Sequence, residues 1–576
     1  MAYKLIDSFS FLDSFRGTFF SGEWPTVSEL FLISRNRFPD SPFFTDFEGS
    51  GGSRQTLTYN QVYENASRLA SWLIENGLEK GDRIAVTGKN SPEWGTAFLA
   101  GFLAGSVVCP MDYGLSEKEL ENLIATAKPK FVFADEEKLP HFEKSADFRT
   151  ISLSCKKNPQ HLYNLCGKKN YENRCTNEND LAVILFTSGT TGNPKGVMLT
   201  HKNLVSDSFI AQTRMKIYQS DVFYALLPIH HAYTLQAVFM VSLSQGCEIV
   251  FGKSMAVTRL LKELKEGKIT MLLGVPLLFN KLLAGIMKGI KSKGPVVNGM
   301  IHFLMGLSYF IKKVFKKNPG KVLFKSVLDK ASISSLRIAI CGGGPLASSV
   351  FKVYNEMGID FVQGYGLTET SPIIALNPVN HFKIESVGQY FYPYMEMKIF
   401  EPDEKGVGEV LVKGPMVFGG YYKMEEETKK VFDADGFFKT GDLGYLDKEG
   451  YLVLCGRAKN MIVTDGGKNV YPEEIENEFQ LCSDFSQITV QGYVEDPESK
   501  AEKIEALIYV SDDLYSRLNL KREDGIIPPE VDAAVRQIIS SRNKNARGYD
   551  KIEKITILEK PLEMTTTQKV KRHYNK

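Results

Sequence analysis

The stretch that most constrains this chain is Phe186–Gly196, F-T-S-G-T-T-G-N-P-K-G. It is entered from an apolar run, Leu181–Leu185, that reads as a buried strand. Hydroxyls of Thr187, Ser188, Thr190 and Thr191 and the glycines Gly189, Gly192 and Gly196 surround one lysine, Lys195. Glycine lets a backbone turn tightly enough for its N–H groups to converge on an anion. The hydroxyls add donors, and the lysine adds a mobile point charge. The pattern reads as a phosphate cradle at the end of a strand. It is not a Walker-type loop, because Pro194 stands where that loop has glycine and Lys195 comes before Gly196.

At 576 residues the chain exceeds one hydrophobic core and should divide into two or more domains. A net charge of +2 gives no argument for a nucleic-acid partner. The eight cysteines form no C-x-x-C pair, which points to neither a zinc site nor a disulfide framework and suits a reducing cytoplasm. The N-terminal M-A-Y-K-L-I-D-S-F has no apolar core followed by a cleavage site, so no signal peptide is expected.

From residue 57 helical and strand-like patterns alternate. Thr58 precedes a run in which Val62, Ala66, Leu69 and Leu73 recur at helical spacing. Ile84–Thr87 reads as a strand, Ser91 caps a helix through Ala104, Ser116 starts another helix, and Lys130–Ala134 is again a strand. Such alternation predicts a parallel sheet covered by helices. Residues 137–178 read as an irregular surface connection. In L-P-I-H-H-A-Y-T-L, residues 227–235, neighbouring histidines on a strand would face opposite ways, which argues against a shared metal ion.

Residues 281–330 carry eleven lysines and one acid, Asp329, around an uncharged stretch from Gly294 to Ile311. Three readings compete: a buried helix with a solvated basic shoulder, a helix lying on a membrane surface, and a membrane span. The first is slightly favoured, and the span is weakest because Pro295, Asn298 and three glycines dilute the stretch.

A second glycine turn, Gly342-Gly343-Gly344, follows the strand-like L-R-I-A-I-C. Gly342, Gly344 and Ala347 match a dinucleotide fingerprint, but the next strand ends in Gln363 where that motif wants an acid. The octapeptide Gln363–Thr370, Q-G-Y-G-L-T-E-T, brings an aromatic ring, Tyr365, beside the oxygen pair Thr368 and Glu369, ligands of the kind Mg²⁺ takes. Residues 387–455 read as a small β-subdomain. They contain K-T-G-D, whose Asp442 could accept from two ribose hydroxyls. From Pro472 the pattern becomes helix, strand, strand, helix, strand.

Taken together, these segments resemble the adenylate-forming (AMP-binding) enzymes, and the long-chain fatty acyl-CoA synthetases most. The resemblance runs from about Thr58 to Arg572. It implies a large N-terminal α/β domain, residues 1–456, with parallel sheets covered by helices plus the β-subdomain. A hinge linker, 457–462, would follow, then a small mobile α+β domain, 463–576. Residues 187–192 and Lys195 would hold the phosphates of ATP, with Thr187 and Glu369 on Mg²⁺ and Thr368 on the α-phosphate. Gly342, Gly343, Gly344, Gln363, Gly364, Tyr365 and Gly366 would line the nucleotide site, and Asp442 and Arg457 would take the ribose and phosphate. Lys459 would be the hinge, and Gly466 and Gly467 would line the path of coenzyme A. His231 and Tyr233 would wall the acyl pocket.

Lys569, in T-T-T-Q-K-V-K-R, would be the catalytic lysine, although Gln568 stands where the family commonly has glycine. The implied activity is ATP-dependent ligation of a long-chain fatty acid to CoA, with an acyl carrier protein as the alternative acceptor. A luciferase-like oxygenase shares every motif. A non-catalytic nucleotide sensor is disfavoured by the retained Lys569, and a dehydrogenase by Gln363. The expected location is cytoplasmic, with peripheral contact to the inner face of the membrane through 294–317 as an alternative.

Overall fold

The computed structural model describes residues 5–142, 145, 147–167, 174, 177–187, 194–254, 256–464, 467–495, 502–523, 525–564, 570 and 572. The sites expected at Ser188, Gly189, Thr190, Thr191, Gly192, Gly466 and Lys569 lie outside them.

Local signals set the helix starts. Thr58 and Ser116 each accept from the N–H three residues on, while Gln61 and Glu119 reach back to the cap's own N–H. Ser91 accepts from Trp94 N–H with Pro92 in the first turn. These caps satisfy donors that a helix start leaves open, about 1 kcal/mol each.

Two sheets result. A six-stranded sheet runs in the order 149–152, 131–134, 83–87, 107–111, 181–187, 195–200, parallel except for the last hairpin. The edge strand Arg149–Ser152 corrects the expectation of an irregular 137–178: its pairing partner Phe131–Ala134, and not its own composition, makes it a strand. A thirteen-stranded sheet has a parallel half built on 42–46, 248–251, 222–225, 271–274, 338–341 and 360–366. Its antiparallel half includes 438–446 and 451–457, so the predicted β-subdomain is hydrogen-bonded into the large sheet.

The helix Pro92–Leu103 is buried on every side between these sheets. Two glycines let both approach it. A methyl on Gly95 would lie 2.8 Å from the Phe44 ring, and one on Gly101 would lie 2.6 Å from Ile84 and 2.8 Å from Val108. A helix that is apolar all round belongs inside, and this one joins both sheets through a shared core.

The chain after 462 has its own apolar core, from Ile462 to Ile552, around the strands 485–493, 503–510 and 554–557 and the helix Pro529–Asn545. Gln480 joins this smaller C-terminal domain to the glycine turn. Its side chain accepts from Ala347 N–H (2.7 Å) and donates to the Pro345 carbonyl (2.8 Å).

One buried histidine couples the large domain to pH. His201 opens the helix His201–Ala211. Its Nδ1 accepts from Val27 N–H at 3.1 Å and its ring packs edge-on to Phe102. Burial pushes its pKa down from 6.5 to about 4. The folded state then binds fewer protons than the unfolded chain between these values. The stabilisation is complete above pH 6.5 and is lost as pH falls through 4, by about 3 kcal/mol at most. We expect the apparent Tm to fall over that window, and a His201→Gln variant to show a shallower acid slope from a lower starting Tm. Equal slopes would remove His201 as the cause.

Candidate active site

The site lies at the carboxyl ends of the parallel strands, where open α/β sheets bind ligands. Thr187 ends its strand opposite Lys195 in the hairpin register, and its hydroxyl donates to the Lys195 carbonyl at 3.4 Å. The Lys195 ammonium pairs with Glu427 at 2.9 Å and sits 4.9 Å over the Tyr421 ring. Tyr421 donates to Glu369 at 2.9 Å. Backbone bonds from Met198 N–H to the Gly420 carbonyl and from Tyr422 N–H to the Gly196 carbonyl bring the two segments together. Lys195 and the Glu369 carboxylate therefore share one cluster through Tyr421. Tyr421 and Glu427 were missed by sequence reasoning. Glu427, between Lys430 and Lys195, is held down at a pKa of about 2.

The second cluster is Tyr365, Asp442 and Arg457. Asp442 and Arg457 are register partners in adjacent antiparallel strands. One oxygen of the buried Asp442 pairs with Arg457 Nε at 2.9 Å, and the other accepts from the Tyr365 hydroxyl at 2.5 Å. Asp442 raises the Arg457 pKa, and burial raises that of Tyr365 well above its ordinary value. Tyr365 thus uses its hydroxyl to brace the carboxylate. Lys459 follows in a short 3-10 turn, Ala458–Asn460, its pKa lowered by burial and by Arg457 and Arg572. Gly467, at φ 65°, turns a hairpin between Ile462–Val463 and Asn469–Val470.

Beside the second cluster, and sharing Tyr365 with it, lies an apolar pocket of about 90 Å³. Tyr233, Gly342, Gly343, Gly364, Tyr365 and Gly366 line it with Met215, Phe223 and Ile340, and Gln363 lies buried just before Gly364. Gly344 sits outside the lining, facing Pro276. Thr368 and Glu369 form a 3-10 turn held by Thr370, whose hydroxyl bridges Leu367 and Pro372. Gly366 is required there, since a Cβ would fall 1.7 Å from the Pro372 carbonyl oxygen. Sequence reasoning also missed Asp207, a buried lining carboxyl. It accepts from Ile373 N–H at 3.0 Å and from Gln236 at 3.2 Å, and burial pushes its pKa up.

Tyr233 donates to the Ile340 carbonyl at 2.9 Å, which fixes its ring against Gly342. A methyl at Gly342 would meet that ring at 3.1–3.3 Å. We expect Gly342→Ala to narrow the pocket and lower kcat/KM for bulky or long acids by about tenfold relative to short ones. An unchanged acid profile would remove Gly342 from the pocket wall.

The structure corrects the reading of the histidine pair. Residues 228–231 form no strand. Pro228 begins a turn that caps the short helix Ala232–Thr234, so both rings converge, 4.3 Å apart. Ligand atoms of Asp112, His230 and His231 lie within 4.8 Å of one another, with His230 Nε2 3.6 Å from Asp112. The opposite-face argument against a metal ion does not apply to this turn. His231 belongs to this trio and not to the lining of the apolar pocket.

A model of the AMP-binding enzyme family matches residues 32–422. The chain belongs to that family. Among relatives of this AMP-binding enzyme, the long-chain-fatty-acid–CoA ligase heimdall of Drosophila melanogaster is 29% identical over 492 residues, 78% of this chain and 72% of that protein. The long-chain-fatty-acid–CoA ligase ACSBG2 of Homo sapiens is 26% identical, with 95% and 90% covered. A feruloyl-CoA synthase of Amycolatopsis is 27% identical, with 79% and 82% covered. ATP-bound MatB from Rhodopseudomonas palustris superposes with a TM-score of 0.73 at 26% identity, covering 94% of this chain and 97% of that one. The AMP-binding enzyme therefore has a large N-terminal α/β domain with a mixed sheet and a smaller C-terminal domain with a sheet of its own.

Proposed function

We propose that the protein activates a long-chain fatty acid with ATP as an acyl-adenylate and transfers the acyl group to the thiol of coenzyme A. The observation that carries this reading is a set of three parts on the two sheets that the 196–198 and 420–422 segments tie together. They are the Lys195–Tyr421–Glu369 cluster, the Tyr365–Asp442–Arg457 cluster and the apolar pocket that Tyr365 also lines.

A carboxylate is a poor electrophile, because direct attack must expel oxide. Attack of its oxygen on the α-phosphorus of ATP releases pyrophosphate and gives a mixed anhydride from which AMP can leave. Catalysis of that displacement is mainly positioning and charge neutralisation. Asp442 can hold the ribose hydroxyls, braced by Tyr365, and Arg457 can contact ribose and phosphate. Lys195 can exchange Glu427 for the polyphosphate. The Glu369 carboxylate and the Thr187 hydroxyl are a hard oxygen donor set of the type Mg²⁺ prefers. When bound there, Mg²⁺ would neutralise charge on the phosphates. Lys569 would steady the attacking carboxylate.

The apolar lining supports an aliphatic acid, as do the two ligases named for long-chain fatty acids. The test is carboxylate-dependent ATP–pyrophosphate exchange over acids of graded length and over aryl acids, followed by CoA and acyl carrier protein as competing acceptors. Exchange rising with chain length and thioester formation on CoA are expected. Exchange with aryl acids alone would overturn the fatty-acid assignment, and no exchange with any acid would overturn the reaction.

A further inference from the structure

The helix Pro295–Phe315 has two apolar faces, and only one is covered. Ile301, Met305, Ser308 and Lys312 face inward against the helices Pro276–Lys291 and Ser348–Glu356. The buried Lys312 fixes the helix's rotation through Asp360 and Asn355, both at 2.8 Å. On the opposite side Val296, Met300, Phe303, Leu307, Phe310 and Val314 follow one another every three or four residues, 42–83% exposed. The favoured sequence reading, a buried helix, is therefore corrected: an uncharged stretch was taken as an interior one, but half of its apolar surface meets water. With Phe315, Val322 and Leu323, residues 296–323 hold nine of the seventeen exposed large apolar residues of the described chain. Monomeric proteins rarely leave such a contiguous surface without a use.

We propose that this face seats the protein on an anionic phospholipid surface, with the helix lying in the plane of the headgroups. The charge around it selects that occupant. Lys288, Lys291 and Lys293 precede the helix, and Lys316, Lys317 and Lys325 follow it, all exposed. None is ion-paired among the described residues. Asp329 is the only acid between 281 and 330. An apolar stripe rimmed by unpaired ammonium groups is complementary to apolar chains beneath a negative headgroup layer. A second copy of this chain would bring the same positive rim against itself and repel. A span is not at issue, since no described helix is long and apolar enough to cross a membrane. The inference is independent of the proposed reaction.

The test is partition of the full chain onto vesicles of phosphatidylcholine alone and of phosphatidylcholine with about one-third phosphatidylglycerol. Binding to the anionic vesicles should be about tenfold stronger or more, and should weaken as salt rises. Phe303→Glu with Phe310→Glu should lower it by about tenfold or more while leaving the apparent Tm unchanged, because both side chains are already in water. Lys316→Glu with Lys317→Glu, which leaves the stripe intact, should abolish the preference for anionic vesicles. Equal binding to both vesicle types, or wild-type binding by the Phe303/Phe310 variant, would overturn the proposal. So would a concentration-dependent dimer that the same variant dissolves, which would assign the face to a second copy.

Discussion

Asp442→Ala should cut ATP–pyrophosphate exchange by about 10²- to 10⁴-fold, mainly through the KM for ATP. On the proposed reading the buried carboxylate accepts from two ribose hydroxyls, and hydrogen bonds to a charged group contribute about 1.5–3 kcal/mol each. The same change leaves Arg457 without its 2.9 Å partner. That guanidinium keeps 42% of its side-chain surface exposed, so water softens the loss, and the stability cost should stay near 1–2 kcal/mol. Activity should therefore fall far more than Tm. Tyr365→Phe, which removes only the brace, should cost about tenfold. Exchange within threefold of wild type in Asp442→Ala would take Asp442 out of nucleotide recognition.

Lys569→Ala should separate the two half-reactions. Adenylate formation builds negative charge between the attacking carboxylate and the α-phosphate, and loss of a positioned cation there should cost about 10²–10³-fold. Thiolysis of a supplied acyl-adenylate needs no such cation and should proceed within a few-fold of wild type. Smaller-domain rotation about Lys459 would exchange one set of groups for another between the steps. Equal loss in both steps would contradict this division.

Local features of the fold could be read from the residues that make them. Thr58, Ser91 and Ser116 announce their helices because a cap acts within three residues. The partnership of Asp442 and Arg457 could be inferred only by role, though two short strands separated by a turn put them in register. Tyr421 and Glu427 carry no such sign. They reach Lys195 because the segment 420–422 pairs with the strand Lys195–Thr200 across more than two hundred residues. Asp207 looks like one more polar residue in an ordinary helix until packing closes over it. The histidine pair was misread because period-two alternation was applied past Pro228, where the chain turns into a helix. The helix 295–315 shows the converse problem. Both of its stripes are visible in the sequence, but which of them turns inward is fixed by Lys312 and Asp360, forty-eight residues apart.

The contact between Lys195 and Glu427 has a consequence for which anions can enter. The Lys195 ammonium carries an internal counter-ion, so an incoming anion must displace a carboxylate to reach it. A lone monovalent anion gains little by competing with a tethered carboxylate. A chain of phosphates, gripping several donors at once, can displace it, and the displaced Glu427 retains Lys430 as a resting place. The pair should therefore favour a polyanion over the simple salts that surround the protein.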